Sequence, residues 1–219
     1  MALAALTRRR DLHRAARARA PQRHPWLDGR RPEPGTTDLA PLLDRLHEAT
    51  VPDRSCEWVS TVDHHLPDQL DLLVEEPWET GPLGEEARAL VTPRLTQVRD
   101  WAEEHAGRLE TIDPAGFVVT HGEPGHHNQW VAAGRTYLLD WESLLLAPAE
   151  RDLGTLLRTG AGSRRADPGL VRFFDLEWRL AEIQAFTQWL AGPHDVGADA
   201  HEALGGLRDE LIRPAVDER

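Results

Sequence analysis

Residues 118–142 read Val-Val-Thr-His-Gly-Glu-Pro-Gly-His-His-Asn-Gln-Trp-Val-Ala-Ala-Gly-Arg-Thr-Tyr-Leu-Leu-Asp-Trp-Glu. Two apolar, β-leaning runs flank a polar loop. Phe117 to Thr120 predicts a short strand, and Pro124 with Gly125 lets the loop turn tightly. Trp130–Ala132 and Thr136–Leu139 predict a hairpin around Gly134-Arg135. His121, Glu123 and Asn128 sit on the loop, and Asp140-Trp141-Glu142 closes the second run. Asn128 is the only Asn in the chain, so its place there carries weight.

The rest of the chain reads as mostly helical around this stretch. A helix begins near Asp38, which can cap it, with Leu39, Leu42, Leu43 and Leu46 on one face. His47 on that helix reads as a surface residue. A shorter helix starts at Pro67, a residue suited to a first turn. A long helix from about Leu83 to Leu109 should kink at Pro93. Pro148 opens another, with Leu153, Leu156 and Leu157 inward, followed by a Gly/Ser/Arg loop at 160–168. Pro168 to Leu190 carries an apolar and aromatic stripe that reads as core. A last helix covers roughly Ala198 to Ile212. Before all of these, residues 1–23 form a basic tail and residues 24–36 an extended connector rich in Pro, Gly and Arg. The remainder, 37–219, reads as one lobe.

Charge narrows the partners. Of the 219 residues, 37 are acidic and 25 basic, and every basic residue is Arg. Residues 1–31 hold nine Arg against Asp11 and Asp28, a net of +7; the remainder holds sixteen Arg against 35 acids, a net of −19. An acidic body repels nucleic acid and attracts cationic small molecules or Mg²⁺. No run of about 18 apolar residues exists, so no membrane span is expected. The single cysteine, Cys56, excludes an intramolecular disulfide and fits a reducing cytoplasm.

A carboxylate, an amide and a second carboxylate in this order suit phosphoryl transfer, which mostly needs positioning and charge neutralisation. Glu123 can accept a hydroxyl proton. Asn128 and Asp140 offer oxygen ligands to Mg²⁺. His121 would brace the loop, and Asp152 could fix its backbone. A rival arrangement uses His121, Glu123, His126 and His127 around a hydrolytic Zn²⁺, although neighbouring histidines do not easily face one ion.

His121-Gly122-Glu123-Pro124-Gly125-His126-His127-Asn128, followed by Leu138-Leu139-Asp140-Trp141-Glu142, resembles the aminoglycoside phosphotransferase family, related to choline kinase. The spectinomycin phosphotransferase-like branch fits best. Pro25-Trp26-Leu27-Asp28-Gly29-Arg30 resembles its hinge, and Ala147-Pro148-Ala149-Glu150-Arg151-Asp152-Leu153 also matches. The resemblance covers about residue 24 to the end. It implies an α+β, mainly α fold: the C-terminal lobe of a protein-kinase-like enzyme, with a small β-hairpin carrying the catalytic loop. It implies Glu123 as catalytic base with His121 beside it, and Asn128 and Asp140 as Mg²⁺ and nucleotide ligands. ATP and Mg²⁺ are the implied cofactors, and a cationic, hydroxyl-bearing antibiotic the implied substrate.

The front of the chain departs from that family. Its small β-rich lobe covers ATP and supplies a Lys to the phosphates, whereas only about 23 residues precede the hinge-like segment here, and no Lys exists. The expectation is therefore a lobe without its N-terminal ATP half, with absent or very weak activity, or a non-catalytic binding remnant. Self-association through the uncovered face is the matching expectation for partners.

Overall fold

The computed structural model describes residues 27–50, 56–158 and 166–214. The tail 1–23, Trp26 in the hinge-like segment, and most of the 160–168 loop lie outside the described residues, as does the side chain of Leu157. Described residues fall into two compact units. One contains 61–110 and 176–214, and the other 27–50, 56–60, 111–158 and 166–175.

The first unit is helical. Helix α2 spans Leu66–Glu75, α3 Gly84–Val91, α4 Leu95–Leu109 and α7 Ala198–Ile212, and the part of α6 (Pro168–Ala191) from Leu176 onward belongs here. Pro93 does more than kink the predicted helix. Thr92–Arg94 becomes a turn of 3-10 helix that separates α3 from α4, because Pro supplies no amide hydrogen to an α ladder. Leu66, Leu70, Val91, Val98, Leu180, Ile183, Phe186, Leu190, Leu207 and Leu211 form its core. Each such side chain, fully buried, contributes about 1.5–3 kcal/mol. Inside it His105 Nε2 meets Glu177 Oε2 at 2.6 Å, and Glu177 Oε1 accepts the Thr61 amide at 2.8 Å. The buried carboxylate is thus satisfied on both oxygens.

The second unit carries the β structure. Helix α1 (Ala40–His47) starts two residues after Asp38, whose Oδ1 accepts the Ala40 amide at 3.0 Å. Strand β1 (Val118–Thr120) pairs antiparallel with β4 (Leu145–Ala147), and β2 (Gln129–Ala132) pairs antiparallel with β3 (Arg135–Leu138). The β2–β3 turn puts Ala133 and Gly134 at φ 47° and 72°, the paired positive values of a tight hairpin turn. Helix α5 (Glu150–Arg158) follows β4. Leu39 and Leu43 of α1 pack with Leu138, Leu153 and Leu156. A second cluster sets Trp58 edge-on to Phe173 and Phe174. The polar loop, 121–128, therefore lies between β1 and β2, with α1 and α5 packed about it in the same unit.

The mainly helical fold with two small antiparallel strand pairs is the one the sequence implies. Strand β4 is an addition: Leu144-Leu145-Leu146 has no polar alternation to mark it. Among the described residues, no helix is long and apolar enough to cross a membrane.

Candidate active site

Asp152 organises the loop. It sits in the first turn of α5 and is fully buried. Its Oδ2 accepts the His121 amide at 3.1 Å and its Oδ1 the Gly122 amide at 2.6 Å. His47, 12% exposed at the side chain, places Nε2 2.9 Å from Oδ2. A carboxylate accepts, so His47 donates. The sequence marks His47 as a surface residue; the structure turns it inward, because a buried carboxylate needs donors. Both loop amides point inward onto one acidic side chain, which fixes the backbone at the turn.

Arg151, next in line, holds the loop from the other side. Its Nη1 donates to Thr120 Oγ1 at 2.9 Å and its Nη2 to the Ser143 carbonyl at 3.0 Å. Ser143 Oγ in turn donates to the His121 carbonyl at 2.7 Å. Gly122, at φ +90°, lies under this guanidinium, and a Cβ there would stand 2.3 Å from Nη2. Gly122→Ala is therefore expected to destabilise the protein by about 2–4 kcal/mol, from backbone strain plus the displaced Arg151 bonds. Denaturant unfolding measures it; a loss within about 0.5 kcal/mol, the range of ordinary surface changes, would mean that the clamp is loose.

His121 is buried and braces the loop. Its Nε2 lies 2.9 Å from the Leu139 carbonyl and its Nδ1 accepts the Glu123 amide at 3.2 Å. These two bonds require the neutral ring with hydrogen on Nε2. Burial, the largest influence, also holds its pKa below the ordinary 6.5. The Trp141 ring packs on it at 4.7 Å between centroids. In the unfolded chain His121 protonates near 6.5; folded, it protonates only at lower pH. Its contribution to stability is complete above that value, declines as pH falls through it, and stops changing once the folded ring is charged. His121→Gln keeps a donor to Leu139 and should flatten the stability profile below about pH 6.5 relative to wild type. Parallel profiles would show that His121 titrates normally.

The remaining residues gather around Leu139. Its amide donates to the Asn128 carbonyl at 2.8 Å, while its own carbonyl takes the His121 ring. Asp140 is thereby attached to the loop that carries Asn128. Asn128 is buried, and its Nδ2 donates to the Glu123 carbonyl at 2.9 Å. That bond engages the Nδ2 end of the amide and turns Oδ1 away from the Glu123 carbonyl. Asp140 is exposed and left-handed, at φ 61° and ψ 70°, a conformation Asp tolerates better than most residues. Glu123 is half-buried and Glu142 exposed. An oxygen-only pair such as Asn128 and Asp140 fits the preference of Mg²⁺ for one or two protein carboxylates plus phosphate oxygens. His126 and His127 stand edge to face, 5.8 Å between centroids. Among the described residues, no three His, Cys, Asp or Glu side chains converge on a metal position, so the zinc arrangement has no geometric support.

Arg151, Ser143 and His47 are site-supporting residues that sequence reasoning missed. For Arg151 a signal existed, in the matching segment at 147–153. For His47 and Ser143 only the folded contacts reveal the role.

No family model matches the sequence. Protein StrN of Streptomyces griseus is 37% identical over 98 residues, covering 45% of this chain and 30% of StrN. Spectinomycin phosphotransferase APH(9)-Ia in complex with ADP and spectinomycin superposes with TM-score 0.71 at 17% identity, over 89% of this chain and 68% of that one. The AMP-bound complex of that enzyme gives 0.64 at 17% identity, over 80% and 62%. The chain thus has a kinase-like fold, spanning part of the solved enzyme and, in the sequence match, under a third of StrN. Within that fold class the chain is similar to the spectinomycin phosphotransferase over part of that enzyme's length.

Proposed function

We propose that this chain carries the acceptor side of an ATP- and Mg²⁺-dependent phosphotransferase acting on a hydroxyl of a small cationic molecule, an aminoglycoside-like antibiotic. The observation that carries the reading is the braced loop: Asp152 pins the His121 and Gly122 amides while Asn128 turns its Nδ2 inward to Glu123. In the reaction the acceptor oxygen bonds to the terminal phosphorus of ATP, the bond to the ADP oxygen breaks, and Glu123 takes the hydroxyl proton. Asn128 and Asp140 would hold Mg²⁺, which when bound neutralises phosphate charge. His121, locked neutral, orients the loop and stays out of the proton transfer. The acidic body, with 37 acids against 25 arginines, favours a cationic acceptor.

Support from the relatives is of the same kind. The solved neighbours are complexes of a spectinomycin phosphotransferase with ADP and spectinomycin or with AMP. Incubating the purified chain with Mg·ATP and an antibiotic panel headed by spectinomycin, then reading product mass, tests the proposal. Spectinomycin binding with at most very weak, Mg²⁺-dependent formation of phosphorylated product is the expected result. Absence of product together with absence of nucleotide and spectinomycin binding would overturn it.

A further inference from the structure

In the helical unit, the loop between α2 and α3 meets the end of α6, and one imidazole holds it there. Thr80 Oγ1 donates to the Ala191 carbonyl. Leu83, just before α3, donates its amide to His194 Nε2 at 3.2 Å. His194 Nδ1 lies 2.9 Å from the Gly192 carbonyl. A carbonyl accepts, so Nδ1 carries the hydrogen and Nε2 keeps its lone pair for Leu83. Both ring nitrogens are thus committed, and together they require the neutral ring. Gly81 leaves room for it: a Cβ there would stand 2.0 Å from His194 Cε1 and Nδ1. Trp78 anchors the same loop in the core, with Nε1 donating to the Leu73 carbonyl at 2.8 Å.

The same ring has a contact that suits its charged form. The Trp189 indole lies against it, with centroids 5.0 Å apart and planes 30° from parallel. A cation gains from an indole face at that range, whereas an imidazolium has no lone pair for the Leu83 amide. Charged groups near the ring in sequence are Glu75, Glu76 and Glu79, at the end of α2 and on the loop, and Asp195; the last two turns of α6 carry none. At the start of α3, Glu85 is held by Arg88 and by the Trp78 amide, and Glu86 by Arg208 of α7. Asp199 and His201 stand in the first turn of α7, where His201 Nδ1 donates to the Gly197 carbonyl at 2.9 Å. The acids that follow Leu83 are therefore engaged elsewhere, and its amide depends on the imidazole.

We propose that His194 is a pH-sensitive latch fastening the loop 76–83 to the end of α6. With the ring neutral, Leu83 is held and the loop is closed. A proton taken from solvent at Nε2 replaces the lone pair with an N–H that faces the Leu83 N–H, and that bond is lost. The charged ring keeps its Gly192 bond and its place on Trp189. The latch therefore holds at high pH and opens as pH falls through the titration of the ring. It lies wholly in the helical unit and does not depend on the phosphate chemistry proposed for the loop 121–128.

Hydrogen–deuterium exchange at the Leu83 amide of the full chain, corrected for intrinsic exchange chemistry, tests it between about pH 8 and pH 5, where an ordinary imidazole changes charge. Wild type is expected to exchange about tenfold faster at the lower pH, the effect of losing one hydrogen bond. His194→Gln offers an acceptor that does not titrate and should erase the difference. Gly81→Ala drives a methyl group into the ring's place and should give fast exchange at both pH values. Equal corrected rates at the two pH values in wild type overturn the latch. So does a pH effect that His194→Gln retains, or an equal acceleration at Leu180 in the middle of α6, which marks loosening of the whole unit. If the glutamine variant fails to fold, Gly81→Ala decides: Leu83 protected as in wild type at the higher pH overturns the proposal.

Discussion

Asp152→Ala is expected to destabilise the protein by about 3–6 kcal/mol, the largest loss for any single change near the loop. Three donors converge on this carboxylate: the His121 and Gly122 amides and His47 Nε2. Each buried donor left without an acceptor costs about 1–3 kcal/mol, and water has little access to a fully buried site. The alanine also leaves a cavity where the carboxylate stood. Asp152→Asn is the informative companion. It preserves the shape and one acceptor oxygen, so it should lose less than the alanine variant. Chemical denaturation with both variants measures the difference. If Asp152→Ala unfolds within about 1 kcal/mol of wild type, the loop is held by something other than this carboxylate.

Asp140→Asn is expected to reduce phosphate transfer by about 10²–10³, the scale on which removal of one electrostatic contact acts in comparable sites. The prediction follows from the proposed metal role. It is sharpened by the backbone: position 140 is left-handed, at φ 61°. Asparagine accepts that conformation nearly as well as aspartate, so Asp140→Asn should leave unfolding within about 0.5 kcal/mol of wild type. Asp140→Ala would add strain of about 1–2 kcal/mol and confuse the two effects. Turnover and its Mg²⁺ dependence are therefore best measured on the asparagine variant. Turnover at the wild-type rate in Asp140→Asn would remove Asp140 from the metal site and weaken the functional reading as a whole.

Much of the helical fold is legible in the sequence. The helical periodicity at 168–190 and 198–212 gave elements now seen at Pro168–Ala191 and Ala198–Ile212, because Phe173, Leu176, Leu180, Ile183 and Leu207 repeat on buried faces. The hairpin was readable from Gly134 and its flanking apolar pairs. Where reading failed, the cause was long-range. Strand β4 pairs with β1 some 25 residues away, from Thr120 to Leu145, and three consecutive leucines carry no period of two. His47 lies 105 residues from Asp152. Nothing in Leu43-Asp44-Arg45-Leu46-His47 distinguishes an inward histidine from a surface one. Pro93 announced a disturbance but not its size, since a kink and a 3-10 break both satisfy a missing amide hydrogen. At the candidate site, residue types in the sequence single out Glu123, Asn128 and Asp140 as candidates. The bonds around them, the Leu139 amide to the Asn128 carbonyl and the Asn128 side-chain amide to the Glu123 carbonyl, are contacts that no spacing encodes.

The inward-facing amides of His121 and Gly122 bear on the thermodynamics of ligand capture. Ordering a flexible backbone costs about 1–2 kcal/mol of conformational entropy per residue. In a loop that stiffens only when its ligand arrives, that loss is subtracted from affinity. Here the buried Asp152 and the Arg151 guanidinium impose the ordering as the chain folds. A ligand reaching Glu123, Asn128 and Asp140 would meet a surface whose entropy has already been surrendered to the helix beneath it.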